Sequence, residues 1–170
     1  MHGLRRGRKP SDFSMQLLEK QRVKYTYWIG EKQLLRYVRK AFSEKGDSGE
    51  NLLRLLERRL DSVVYRLGFA PTIPAARQMV VHGHISVNKR RVDKPSYGVR
   101  PGDVVEVREG SEKLPQVEEG LVRAMSRGSV PYLEGDKEKL RGILKTIPKR
   151  EEIPLPIDDR LVIEYYARKT

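Results

Sequence analysis

Apolar residues recur along this chain in blocks whose spacing predicts helices first and short strands later. Ser11 or Asp12 caps a helix that runs to about Lys24 and carries Met15, Leu17, Leu18 and Val23. A Tyr25-Thr26-Tyr27-Trp28 cluster and Gly30 follow. Leu34, Leu35, Val38 and Phe42 then form the apolar side of a helix from about Glu31 to Lys45. Gly46-Asp47-Ser48-Gly49 is a break. Beyond it Leu53, Leu56, Leu60, Val63 and Leu67 recur at spacings of three and four, which predicts one long helix with one buried face, ended by Gly68.

Thr72 caps a shorter helix that tolerates Pro74 in its first turn and stops near His82-Gly83. His84 to Asn88 alternates polar and apolar, as a half-buried strand does. Asn88-Lys89 is a tight turn, because Asn accepts a positive φ, and Arg90-Arg91-Val92 returns. Pro101-Gly102-Asp103 turns into a strand at Val104–Val107. Pro115 to Arg127 reads as a helix, and residues 131–147 as two strands around a turn at Gly135-Asp136. Residues 149–159 read as extended, and Leu161 to Tyr166 as a strand.

Charge changes this picture from a generic α+β chain to one with a polyanionic partner. The 170 residues include 35 Lys plus Arg against 23 Asp plus Glu, a net charge of +12. Residues 1–45 contribute +8, residues 46–108 contribute +4, and the remainder is neutral. Solvation alone would spread the excess; a nucleic-acid surface concentrates it. Arg5, Arg6, Arg8 and Lys9 form a basic arm expected to order on RNA. Lys20 and Lys24 add cations on the first helix. Lys32, Arg36, Arg39 and Lys40 fall at i, i+4, i+7 and i+8, one basic stripe on the second.

Other chemistry finds little support. There is no cysteine, so disulfides and Cys-ligated zinc are excluded. No apolar run approaches the roughly 20 residues that span a bilayer, so no membrane is expected. The basic N-terminus has no apolar stretch behind it and is not read as a signal peptide. The histidines are His2, His82 and His84, and no nucleophile, phosphate-loop or zinc-helix motif accompanies them. No active site, metal or cofactor is expected.

A specific pattern lies in residues 56–107. Leu56-Glu57-Arg58-Arg59-Leu60-Asp61 opens it, and Val64-Tyr65-Arg66-Leu67-Gly68-Phe69 follows. Ala76-Arg77-Gln78-Met79-Val80, His82-Gly83-His84-Ile85, Val87-Asn88, Pro95-Ser96-Tyr97 and Gly102-Asp103-Val104-Val105 complete it. This block resembles the S-four RNA-binding domain, two helices packed on a small sheet. On that reading Arg59 and Arg66, seven residues apart, share a helix face. With Arg77 and Gln78 of the next helix, His82, His84, and Asn88, Lys89, Arg90 and Arg91 of the hairpin, they make one cationic groove. Arg suits it because its planar fork meets two phosphate oxygens.

The flanks resemble one family that uses the domain. Ser11-Asp12-Phe13, Gln16-Leu17, Glu31-Lys32-Gln33 and Gly49-Glu50-Asn51-Leu52-Leu53 lie upstream; Pro131-Tyr132-Leu133-Glu134 and Leu161 to Tyr166 lie downstream. Together they are similar to bacterial and organellar small-subunit ribosomal protein four. The resemblance implies an α+β fold: a mainly helical domain, residues 1–51 with 148–170, into which an S-four domain, residues 52–147, is inserted. It implies a structural role on the cytoplasmic, or alternatively organellar, ribosome. There the family binds small-subunit ribosomal RNA at a multi-helix junction, early in assembly. Its neighbours are small-subunit proteins five and three, beside the channel where messenger RNA enters. A regulator of translation or transcription using the same grip is the alternative. An RNA-modifying enzyme is not expected, since the 62 residues from position 109 on are too few for a catalytic domain.

The chain departs from the family at several points. Members usually begin about forty residues earlier, whereas this sequence opens at Met1-His2-Gly3. Lys89 replaces the usual hairpin glycine, at a cost of about 1 kcal/mol for its positive φ. Trp28 stands where glycine is common, and its bulk is read as a core residue, with stacking on a base as the alternative.

Overall fold

A computed structural model describes residues 11–169. Its first helix, α1 (Asp12–Tyr27), is capped by Ser11, whose Oγ accepts the Ser14 N–H at 3.1 Å. It runs through the aromatic cluster to a left-handed cap at Trp28, φ 55° and ψ 48°. The buried face of α1 is largely polar: Gln16, Glu19 and Lys20 accompany Val23 and Tyr27, while Met15 and Leu18 are exposed. The α2 helix (Glu31–Ser43) buries Leu34, Val38 and Ala41, with Phe42 turned outward. Asn51 closes its C-terminus, its Nδ2 donating to the carbonyls of Ala41, Glu44 and Lys45 at 3.2–3.4 Å.

The expected long helix is two helices, α3 (Ser48–Glu57) and α4 (Leu60–Arg66). Arg59 between them is extended, φ −61° and ψ 142°. The cause lies forty residues downstream in sequence, at residues 95–99. Leu60 N–H donates to Tyr97 O at 2.9 Å, Asp61 N–H to Pro95 O at 3.2 Å, and Val99 N–H to Arg58 O at 2.8 Å. These bonds satisfy the groups that the helix break exposes. Leu53, Leu56, Leu60, Val63 and Leu67 all remain buried across it. The boundary expected at residue 52 falls inside α3.

Thr72 caps α5 (Ile73–Val81), accepting the Ala75 N–H at 3.1 Å. The strands are β1 (Ile85–Val87), β2 (Arg90–Arg91), β3 (Val104–Val107), β4 (Leu133–Asp136) and β5 (Arg141–Leu144). They form one antiparallel sheet ordered β2-β1-β3-β5-β4. All three residues of β1 are buried, not alternate ones, and β1 lies between β2 and β3 in the sheet. Asn88 and Lys89 both take positive φ, 52° and 70°, as the expected tight hairpin requires. The Asn88 side chain bridges to Asp103 and to the Val104 N–H, both at 2.9 Å. The α6 helix (Pro115–Arg127) lies between β3 and β4 in sequence, and the β4–β5 turn falls just beyond Gly135-Asp136.

The expected strand at Leu161–Tyr166 is a helix, α7 (Asp159–Ala167). Asp158 caps it, accepting the Arg160 N–H at 3.1 Å. Val162, Tyr165 and Tyr166 are its buried residues, the i, i+3, i+4 set of one helix face. This face packs on α1 and α3. Gly49 permits the approach, since a Cβ there would collide with the Asp159 carboxylate. Ahead of α7, Arg150 fastens the returning segment by donating to Leu155 O and Ile157 O at 3.0 and 2.8 Å and pairing with Asp159 at 2.9 Å.

Partners from α7, its Asp158 cap and α2 explain the polar face of α1. Gln16 Nε2 donates to Glu164 at 3.2 Å, and the Asp158 N–H donates to Glu19 at 3.2 Å. Lys20 pairs with Glu31 and sits 5.3 Å from the Tyr165 ring centre.

Candidate nucleic-acid interface

The expected cationic residues separate into an inward and an outward set. Arg59, 1% exposed, is withdrawn from the surface. Its Nε and Nη2 donate to the buried Asp61 at 3.1 and 2.9 Å, and its Nη1 donates to Tyr37 Oη at 2.9 Å. Burial opposes its charge, but Asp61 and Tyr37 hold the guanidinium above its ordinary pKa. Arg66 is likewise committed inward. It meets Glu57, whose side chain is fully buried, through Nη2 at 2.8 Å and Nε at 3.2 Å. The helix break means that Arg59 and Arg66 share no helix face; Arg59 is sealed from solvent, and Arg66, its side chain 14% exposed, is paired with Glu57. Lys20 is buried against Glu31 and Tyr165, so it too leaves the expected RNA set.

Glu57 is the centre of the inward network. Besides Arg66 it accepts Tyr27 Oη and Tyr132 Oη, both at 2.8 Å. Burial, followed by the Glu57 charge, pushes both phenols up from their ordinary range. One carboxylate therefore ties α1, α3, α4 and the approach to β4.

The outward set is continuous in character. Lys32, Arg36, Arg39 and Lys40 are exposed along α2 and have no ion-pair partner among the described residues. Lys24 is half-buried and paired with Glu31 at 3.3 Å. On α5, Arg77 and Gln78 are exposed; Arg77 Nη1 reaches Trp28 O at 3.4 Å. His82 is exposed, whereas His84 is partly buried with Nδ1 2.8 Å from Ser111 Oγ. Asn88, Lys89, Arg90 and Arg91 are exposed at the hairpin. Lys89 meets Glu106 at 2.9 Å but its side chain stays 77% exposed. Arg91 lies across Gly83, where any Cβ would collide with its guanidinium. Arg5, Arg6, Arg8 and Lys9 lie outside the described residues.

One residue of this surface escaped the sequence reading, and for a second, Trp28, that reading favours the core, with base stacking as the alternative. Arg108 donates to Gly83 O at 3.1 Å and so stands at the same edge as Arg91. Its position after β3 signals nothing until β1 and β3 pair. Trp28, expected in the core, is 54% exposed. Its backbone there is left-handed, φ 55° and ψ 48°. Among the described residues no group of three or more His, Cys, Asp or Glu stands together to hold a metal. No described helix is long and apolar enough to cross a membrane.

Fold and surface together define a basic α+β protein of the nucleic-acid-binding class. Residues 58–105 match the family described as "S4 domain", and residues 1–57 match "Ribosomal protein S4/S9 N-terminal domain". The chain is 51% identical over 171 residues to "Small ribosomal subunit protein uS4" of Synechococcus sp. (strain JA-3-3Ab), covering 99% of this chain and 82% of that protein. It is 47% identical over 167 residues to the protein of that name from Thermodesulfovibrio yellowstonii, covering 98% and 80%. The counterpart from Desulfitobacterium hafniense (strain DSM 10664 / DCB-2) is 48% identical with the same coverage. The chain belongs to the ribosomal protein S4 (uS4) family.

Proposed function

We propose that this chain is a structural constituent of the small ribosomal subunit, holding ribosomal RNA at a multi-helix junction and organising the subunit body early in assembly. The observation that carries the reading is the division of the cations. Arg59 and Arg66 are paired with buried carboxylates, while the α2 stripe, Arg77, Arg90 and Arg91 face solvent without such partners, and Lys89, though paired with Glu106, stays exposed. The free cations are available to phosphates and the bound ones keep the surface that carries them rigid. No bond is made or broken. The helical part, residues 1–51 with 148–170, and the S-four part, residues 52–147, grip the RNA together. Lys24, Lys32, Arg36, Arg39, Arg77, Gln78, His82, Asn88, Lys89, Arg90 and Arg91 are the described contacts. Small-subunit proteins five and three are the neighbours, near the channel where messenger RNA enters. The bacterial relatives favour the cytoplasmic ribosome over an organellar one.

Counterion release supplies the test. Affinity for a small-subunit ribosomal RNA junction is expected to fall linearly on a log–log plot against salt, with a slope near −0.7 to −0.9 per phosphate contacted. Binding that ignores salt sinks the electrostatic mechanism. Co-sedimentation with small subunits in its own cell is expected; a chain absent from them is a separate regulator.

A further inference from the structure

The end of α1 carries a feature that phosphate binding does not use. Trp28 is 54% exposed and Tyr25 is 64% exposed. With Lys24, Ile29 and Arg77 they line an open recess of about 290 Å³. That lies at the small end of ligand-sized clefts, and suits one planar ring system better than a folded segment. Neither Trp28 nor Tyr25 has a partner ring, or a cation over its face, among the described residues. The backbone at Trp28 is left-handed, which glycine adopts freely and a bulky residue does not. A large aromatic is thus held outward at a position that disfavours it.

Charge identifies the occupant. The recess is lined by two cations and no carboxylate; Arg77 has no acidic partner among the described residues, while Lys24 pairs with Glu31 at 3.3 Å outside it. Arg77 uses one N–H on Trp28 O and keeps its other donors free. It also projects from α5, the helix that presents Gln78 and His82 to the proposed RNA face. An indole beside a guanidinium and an ammonium is what a nucleotide needs: a π-face for the base and cations for its phosphate.

We infer that Trp28 is a stacking platform for one unpaired nucleotide of the ribosomal RNA, with Arg77 and Lys24 at its phosphate. The inference rests on the RNA-binding reading above and adds a site to it. Stacking accepts any base, so the site reads an unpaired, exposed nucleotide and not a sequence.

Trp28 is the chain's single tryptophan, so its fluorescence reports the site directly. On addition of a small-subunit ribosomal RNA junction fragment, Trp28 emission is expected to be quenched and shielded from acrylamide. Trp28→Gly, which relieves the left-handed strain and so keeps the fold, is expected to weaken binding about 5- to 150-fold. Its salt slope stays that of the parent, because no phosphate contact is lost. Trp28→Phe keeps a smaller π-face and falls between the two. A fragment that binds with Trp28 unquenched, or a Trp28→Gly chain that binds as the parent does, overturns the stacking site alone. Quenching that appears only when other small-subunit proteins are added also overturns it, and makes Trp28 a protein contact. A chain that does not bind the junction at all overturns the RNA-binding reading and this site with it.

Discussion

Arg59 and Arg91 carry the same guanidinium within the same S-four block, yet one is sealed inside and the other lies on the surface. Arg59 follows the end of α3 and meets Asp61 two residues on, with Tyr37 above it. Arg91 ends a hairpin with no carboxylate against it and lies over a glycine. Arg66 and Arg77 repeat the contrast, one bound to Glu57 and the other exposed on α5. A positive net charge therefore measures two things at once. Part of it is structural, neutralised by buried acids, and only the rest is available to RNA.

The sharpest way to break that division is to remove an inward carboxylate. Glu57→Gln leaves Arg66 without its counter-charge and is expected to cost about 3–5 kcal/mol, read by urea unfolding. Salt dependence of RNA binding by the folded fraction should be unchanged. A Glu57→Gln chain as stable as the parent would mean that the network does not hold the fold. The reverse experiment is Arg91→Ala. It is expected to leave stability within about 0.5 kcal/mol. RNA affinity should fall by about 1.5–3 kcal/mol, and the salt slope by about 0.7–0.9. Loss of stability instead would place Arg91 in the structural set.

Alkaline pH tests the same inward network without mutation. Tyr27 and Tyr132 have folded pKa values raised above the unfolded value of about 10. The stability they contribute is complete below about pH 10 and is lost as pH rises toward the folded values, because the unfolded chain ionises first. Each phenol is expected to steepen the loss once pH passes about 10, approaching about 1.4 kcal/mol per pH unit above about pH 11, read by urea unfolding between about pH 10 and 12. Tyr132→Phe should make the decline shallower. The smallest effect is expected at Trp28. Trp28→Gly removes an exposed ring from a left-handed backbone and should raise stability by about 1 kcal/mol in the same assay.

Local features were legible in the sequence and long-range ones were not. The α2 stripe needs only helical geometry, so Lys32, Arg36, Arg39 and Lys40 could be aligned before any fold was known. The Asn88-Lys89 hairpin rests on one residue's tolerance of positive φ, and α5 on its Thr72 cap. The break at Arg59 depends on residues 95–99 arriving to bond the opened backbone, which no helical periodicity encodes. A run of Leu, Val, Ile and Tyr at 161–166 favours a strand by propensity. Packing on α1 and α3 overrides it and makes α7. The buried polar face of α1 is the extreme case: Gln16 finds Glu164 148 residues away. Without that partner Met15 and Leu18 look like the natural inner face. Trp28 misled because bulk suggests burial, whereas it stands exposed at the left-handed cap of α1.

The α1–α7 contact also sets an order of events during synthesis. A chain emerges N-terminus first, so α1 is among the first segments made and α7 the last. Until α7 appears, Gln16 lacks Glu164, and Glu19 keeps only its pair with Arg22 within α1. The S-four block, complete by β5, can close around its own core well before then. The S-four core therefore closes before the helical part, and α1 settles fully only once α7 has been made.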